Sequence, residues 1–171
     1  MIENNTIHRI LKFFFQYPTR EIHLRALART LTLSLPSTLQ YVKTLKKKGF
    51  VTTRSVGNLV LVRANLESEE FMWRKRLDNI SALYESELIE HIRKTIHPRV
   101  LICFGSYSRG DDIESSDIDI ASIGGHSAGT LPEKFEKELK RNISLRTIDM
   151  NKISEEFRKN LYNGVILWGA W

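Results

Sequence analysis

Residues 104–124 read FGSYSRGDDIESSDIDIASIG, and the fold follows from them outward. Just upstream, Arg99-Val100-Leu101-Ile102-Cys103-Phe104 is a short apolar, β-branched run that halts at Gly105-Ser106. This is the pattern of a strand passing into a helix at Tyr107-Ser108-Arg109-Gly110. A helix starting there turns free backbone N–H groups and the positive end of its dipole toward an anion such as phosphate. Downstream, Asp117-Ile118-Asp119-Ile120-Ala121-Ser122-Ile123 reads as a second strand, stopped by Gly124-Gly125. Strand side chains alternate, so Asp117 and Asp119 share one face about 7 Å apart, while Ile118 and Ile120 point into a core. Two carboxylates so placed repel each other unless a cation lies between them. Mg2+ accepts carboxylate and phosphate oxygens, and two such ions about 3.5–4 Å apart can clamp both the attacking and the leaving oxygen of a phosphoryl displacement.

A helical stretch follows from Leu131 to Arg141, and Ile143-Ser144-Leu145-Arg146-Thr147-Ile148-Asp149-Met150 then alternates as a strand. A crossover of that length returns a chain to the same sheet, so Asp149, on one side with Leu145 and Thr147, is expected to meet Asp117 and Asp119. Gly105 and Gly110 lack the Lys-Ser/Thr that completes a P-loop, and no G-x-G-x-x-G occurs. The spacing around Ser106 and Ser108 is not that of a nucleophile elbow.

At 171 residues the chain has room for two small domains at most. Its net charge of +6 is unevenly spread: residues 1–65 hold eleven Lys/Arg against two Asp/Glu, and residues 66–171 hold fifteen against eighteen. With one cysteine, Cys103, no internal disulfide forms, and no Cys/His cluster has zinc spacing. No apolar stretch reaches the length of a membrane span and no export signal is evident, so a cytoplasmic location away from membranes is expected.

In the basic first third, Ile7, Ile10, Leu11 and Phe14 recur at helical spacing as far as Tyr17-Pro18. A second helix is expected from Glu21 to Thr30. A third starts at the cap Ser34 with Pro36 in its first turn, runs to Lys48 and stops at Gly49; Leu35, Leu39, Val42 and Leu45 are expected on its inner face. Val51–Val56 and Leu59–Arg63, joined by Gly57-Asn58, read as a hairpin. This order of helices and hairpin, from Glu21 through Asn65, resembles the winged-helix domains of prokaryotic transcription factors. The resemblance implies DNA as a partner, met by Ser37, Thr38, Gln40, Tyr41, Lys43, Lys47 and Lys48 of the third helix and by Arg54 and Arg63 of the wing.

Residues 66–97 contain neither Gly nor Pro, and their apolar residues Trp73, Leu77, Ile80, Tyr84, Leu88, Ile92 and Ile96 predict a long connecting helix, or two that bend within it. Its stripe either packs on the C-terminal domain or pairs two chains as a homodimer.

The stretch from Gly105-Ser106 through Arg109-Gly110 to Ser116-Asp117-Ile118-Asp119 resembles the signature of the DNA polymerase β-like nucleotidyltransferases, especially their small prokaryotic members. The resemblance covers about residues 88–169, including a terminal helix from Ile153 to Asn163 and the closing NGVILW strand. With the winged-helix resemblance and the helical spacing between, it implies an α+β chain with three parts: a winged helix-turn-helix domain (1–65), a connecting helix (66–97) and a nucleotidyltransferase domain with a mixed sheet (98–171). It also implies that Asp117, Asp119 and Asp149 hold two Mg2+ ions and carry catalysis. Gly105, Ser106, Arg109 and Ser116 would then bind the nucleoside triphosphate, although Arg109 can equally pair with Asp111 or Asp112. The expected reaction moves a nucleoside monophosphate from an NTP to a hydroxyl on a protein, an RNA end or a small molecule. The domain is too small to grip template and primer. The alternative is a DNA-binding regulator whose transferase-like domain senses nucleotide without turnover.

Overall fold

The computed structural model of the protein describes residues 2–127 and 129–171. It divides into two compact units, the first ending at Lys75 and the second spanning Arg76–Trp171. Among the described residues, no helix is long and apolar enough to cross a membrane.

In the first unit, α1 (Ile2–Gln16) is followed by a short strand β1 (Ile22–His23), then α2 (Leu24–Thr30), α3 (Leu35–Lys47) and the hairpin strands β2 (Val51–Val56) and β3 (Leu59–Ala64). The three strands form an antiparallel sheet in the order β1-β3-β2. Two of the residues expected to open the second helix, Ile22 and His23, instead form the sheet edge, pairing with Val62 and Leu61. Ile10, Phe14, Leu27, Val42, Leu45, Phe50, Val62 and Phe71 are almost wholly buried in one core; each contributes about 1.5–3 kcal/mol by leaving water. The inner face of α3 differs from the expected one. Thr38, Val42 and Leu45 are buried, whereas Leu35 and Leu39 are exposed. Thr38 tolerates burial because its Oγ1 donates to the Ser34 carbonyl oxygen at 2.9 Å.

The boundary between the units falls within α4 (Glu69–Glu85). Of the two expected forms, the stretch takes the one with two helices. Glu87 takes a left-handed conformation at φ 60°, and α5 (Leu88–Ile96) starts after it. Trp73, Leu77 and Tyr84 of the expected stripe are exposed, while Leu83, Leu88, Ile89, Ile92 and Ile96 are buried.

The second unit continues with β4 (Val100–Phe104), α6 (Gly105–Arg109), β5 (Ile118–Ile123), α7 (Glu133–Leu139), β6 (Ile143–Ile148), α8 (Glu155–Tyr162) and β7 (Val165–Gly169). Its four-stranded mixed sheet has the order β6-β5-β4-β7, antiparallel except for the β5·β6 pair. The α7 crossover makes that parallel pairing possible. One face buries Leu101, Cys103, Ile118, Ile120 and Leu167 with residues of α5 and Phe135 of α7. The other buries Val100, Ile102, Phe104, Ala121 and Ile123 with Leu161 of α8. The Phe157 ring of α8 meets Phe104 edge-on at 5.4 Å.

Candidate functional site

On β5, alternation sends Ile118 and Ile120 into the first of these cores and leaves Asp119 on the α8 face. Asp119 pairs with Phe104 of β4 on one side and Ser144 of β6 on the other. It therefore stands where the carboxyl end of β4 passes into α6. That passage turns at Gly105, whose φ of +72° lies in the left-handed region, and a Cβ there would sit 2.8 Å from Asp119 Oδ2. Glycine is needed for its conformation and also because the carboxylate occupies the space a side chain would take. The expected juxtaposition of the Gly-Ser turn and the Asp-x-Asp strand is present.

Asp117 is exposed just before β5. Its Oδ1 accepts from Asn142 Nδ2 at 3.2 Å, and the Asn142 carbonyl accepts from the Ile118 amide at 2.8 Å. Asn142 thus ties the entry of β6 to the acidic strand, a link that no motif announces. Burial raises the Asp119 carboxyl above its ordinary value, Arg146 works against that shift and Asp117 adds to it. Arg146, missed by motif reading, is two residues beyond Ser144 on the same face of β6, and its Nε donates to Ser144 Oγ at 3.1 Å.

Asp149 does not join this group. The parallel register pairs Asp119 with Ser144 and Ile123 with Ile148, so Asp149 lies past the opposite end of the strand. Five residues separate it from Asp119's partner, roughly 16 Å of extended chain. Asp149 instead closes a local turn: its Oδ1 accepts from the Asn151 amide at 3.0 Å and its Oδ2 is 3.3 Å from Lys152 Nζ. The Asn151 amide, then Lys152, hold its carboxyl below the ordinary range. The expectation failed because alternation within one strand does not fix the register between two.

Two other expected phosphate ligands have local partners. Arg109 Nε donates to Asp111 Oδ2 at 3.1 Å, and Ser116 Oγ accepts from the Ile113 amide at 3.0 Å. Behind the loop between α6 and β5 is a buried polar network. Asn79 Nδ2 donates to the Tyr107 carbonyl at 3.0 Å and to Asp112 Oδ1 at 2.7 Å, while Arg141 Nη2 is 3.5 Å from Asp112 Oδ2. It anchors both the stretch leading to Asp117 and the residue before Asn142. Cys103 is wholly buried, and burial pushes its thiol up to about 12, a small core residue rather than a nucleophile.

Among the described residues, no group of three or more His, Cys, Asp or Glu side chains gathers where it could hold a metal ion. The pair Asp117 and Asp119 nevertheless suits one Mg2+, an ion usually held by one or two carboxylates with phosphate oxygens and water filling its other positions.

In the first unit, Gln40, Lys43, Lys47, Lys48 and Arg63 are exposed. Thr38 is wholly buried and leaves the outward set. Ser37 and Tyr41 are half-buried, Ser37 bonded to Ser34 and Tyr41 packed against the core. The Arg54 guanidinium is held by Glu21, its Nε donating to Oε1 at 2.7 Å.

No curated protein and no solved structure matches the chain. Residues 86–170 match the family described as Polymerase beta, Nucleotidyltransferase. That span runs from the end of α4 through β7 and holds Gly105, Asp117 and Asp119. The C-terminal part of the chain is therefore similar to the nucleotidyltransferase domains of the polymerase beta family.

Proposed function

We propose that the C-terminal domain binds a nucleoside triphosphate together with a divalent cation and transfers its nucleoside monophosphate to a hydroxyl acceptor. The observation that carries this reading is the seating of the Asp119 carboxylate against Gly105, which sets the acidic strand beside the Gly-Ser turn. Asp117 and Asp119 would hold Mg2+, which when bound offsets the charge of the phosphates. Gly105 and Ser106 would receive the triphosphate. The acceptor oxygen bonds to the α-phosphorus, the bond to the β-phosphate oxygen breaks and pyrophosphate leaves, with the hydroxyl proton passing to solvent. The acceptor is a hydroxyl of a protein, an RNA end or a small molecule. Incubation with α-labelled NTPs, Mg2+ and such acceptors should transfer label, and Asp119→Asn should abolish the transfer.

A second reading is favoured by the position of Asp149, the acid expected to take the acceptor's proton, which lies past the far end of β6 from Asp119's partner. In it the domain senses nucleotide without turnover. Cation-dependent NTP binding with no transfer to any acceptor would select it.

We infer further that the first unit binds DNA as a winged helix, with α3 as its reading helix. The support is the order of its elements and the exposed Gln40, Lys43, Lys47, Lys48 and Arg63. Gln40 has the groups to read adenine, and the cations suit phosphates. A DNA site with two half-sites would be met by two copies of the chain. Retention of DNA fragments by the full chain, compared with a variant in which the three lysines are Ala, tests this.

A further inference from the structure

We propose that the site takes a single divalent cation, with the Arg146 guanidinium supplying the fixed positive charge on the side where a second ion would need another carboxylate. This rests on the reading of Asp117 and Asp119 as cation ligands and adds to it the number of ions and a phosphate-gripping residue.

The flanks of Asp119 are set by register. Its partner on β4 is Phe104 and its partner on β6 is Ser144. Neither carries charge. Paired residues in adjacent strands project to the same side of a sheet, so Ser144 holds the position from which β6 would offer a ligand beside Asp119. The next residue of β6 on that side is Arg146, exposed and bonded through Nε to Ser144 Oγ at 3.1 Å. Asp149, the other acid of this segment, is turned into a local contact with Asn151 and Lys152 at the far end of the strand.

A second dication at this place would meet a like charge in Arg146 and find no oxygen anion on β6 to offset it. One dication between Asp117 and Asp119 has two carboxylates to outweigh that charge. A triphosphate carries more negative charge than one dication neutralises, and the planar fork of an arginine is suited to bind phosphate oxygens in pairs. The single ion and the guanidinium would together do what paired ions do elsewhere.

Electron paramagnetic resonance of the full chain, with Mn2+ and an equimolar mixture of the four α,β-imido nucleoside triphosphates, counts the ions. Isolated Mn2+ at one ion per chain is the expected result. A spin-coupled Mn2+ pair in the unaltered protein overturns the proposal while leaving the nucleotide site intact. Absence of any protein-bound Mn2+ overturns the assignment of Asp117 and Asp119, and this proposal with it. Arg146→Gln should weaken binding of the nucleotide mixture at least tenfold at an unchanged ion count; unaltered affinity would overturn the part given to Arg146. The double variant Ser144→Asp/Arg146→Gln, shown to be folded by its melting curve, should acquire the coupled pair, and a single isolated ion in it would also count against the proposal.

Discussion

Gly105 and Asp119 exclude one another's side chains: a Cβ on Gly105 would lie 2.8 Å from Asp119 Oδ2. The turn and the acidic strand come from different segments, yet each fixes the other. The left-handed φ at Gly105 adds a backbone cost of about 1–2 kcal/mol for any other residue. Gly105→Ala is therefore expected to displace the carboxylate and lower Mn2+ affinity at least tenfold, more than its loss of thermal stability would suggest. Titration of Mn2+ into the folded variant checks this, and unchanged affinity would show that the carboxylate is free to move.

Asp119 also sets a pH dependence. Burial, with help from Asp117 and against Arg146, raises its carboxyl above 3.8. A cation needs the ionised form, so affinity should fall on acidification, beginning at higher pH than for an ordinary aspartate. Arg146→Gln removes the opposing charge and should move that fall to still higher pH. For stability the sign is reversed. A carboxyl raised in the folded state makes stability decline as pH climbs from the unfolded value through the folded one, so Asp119→Asn should melt slightly higher at neutral pH. A carboxylate signal of Asp119, followed without cation, that titrates no higher than an ordinary aspartate would contradict this account.

Asp149→Asn provides the contrasting case. Because Asp149 lies at the other end of β6 and serves Asn151 and Lys152, the variant should keep Mn2+ and nucleotide affinity within about twofold of the unaltered protein, well inside 1.4 kcal/mol per factor of ten. A loss comparable with that of Asp119→Asn would mean that β6 is paired in a different register.

The buried network behind the site should be costly to break. Removing one member of a buried ion pair leaves the other uncompensated, typically at about 3–5 kcal/mol. Arg141→Ala takes the guanidinium away from Asp112, whose residue surface is only 2% exposed. A fall in melting temperature of more than about 10 °C is expected for a domain of this size. Asp112→Leu/Arg141→Met removes both charges and should recover much of it, as calorimetry on the three proteins would show.

For the basic unit, Lys43→Ala, Lys47→Ala and Lys48→Ala together should lessen the salt dependence of DNA binding by about one unit of slope for each phosphate no longer neutralised. Thr38→Val should leave that slope alone and act on stability, since Thr38 is buried and bonded to Ser34. Equal slopes for the triple variant and the parent would remove α3 from the DNA interface.

Much of this was legible in the residues because it is local. Gly-Ser after an apolar run, and aspartates at alternate positions, are decided by neighbours in the chain, and the turn and strand lie where such spacing puts them. The hairpin at Gly57-Asn58 is of the same kind. The place of Asp149 is not local: it depends on which residue of β6 stands opposite Asp119, and Ile143 and Leu145 of that strand pack against the shared core. Thr38 lies inward and Leu39 outward for a related reason: a threonine that satisfies its own hydroxyl can turn inward, and polarity alone does not reveal it. Asn142, Ser144 and Arg146 belong to no motif, so only the assembled sheet shows that they surround the carboxylates.

The sheet order carries a consequence for synthesis. β4 lies between β5, which follows it closely, and β7, which follows only after two further helices and another strand. While a ribosome is still making α8, one side of β4 has found its neighbour and the other presents bare amides and carbonyls along a wholly apolar strand. Such an edge invites pairing with a second nascent chain. Arrival of β7 ends that exposure, so the last strand acts as the domain's guard against aggregation.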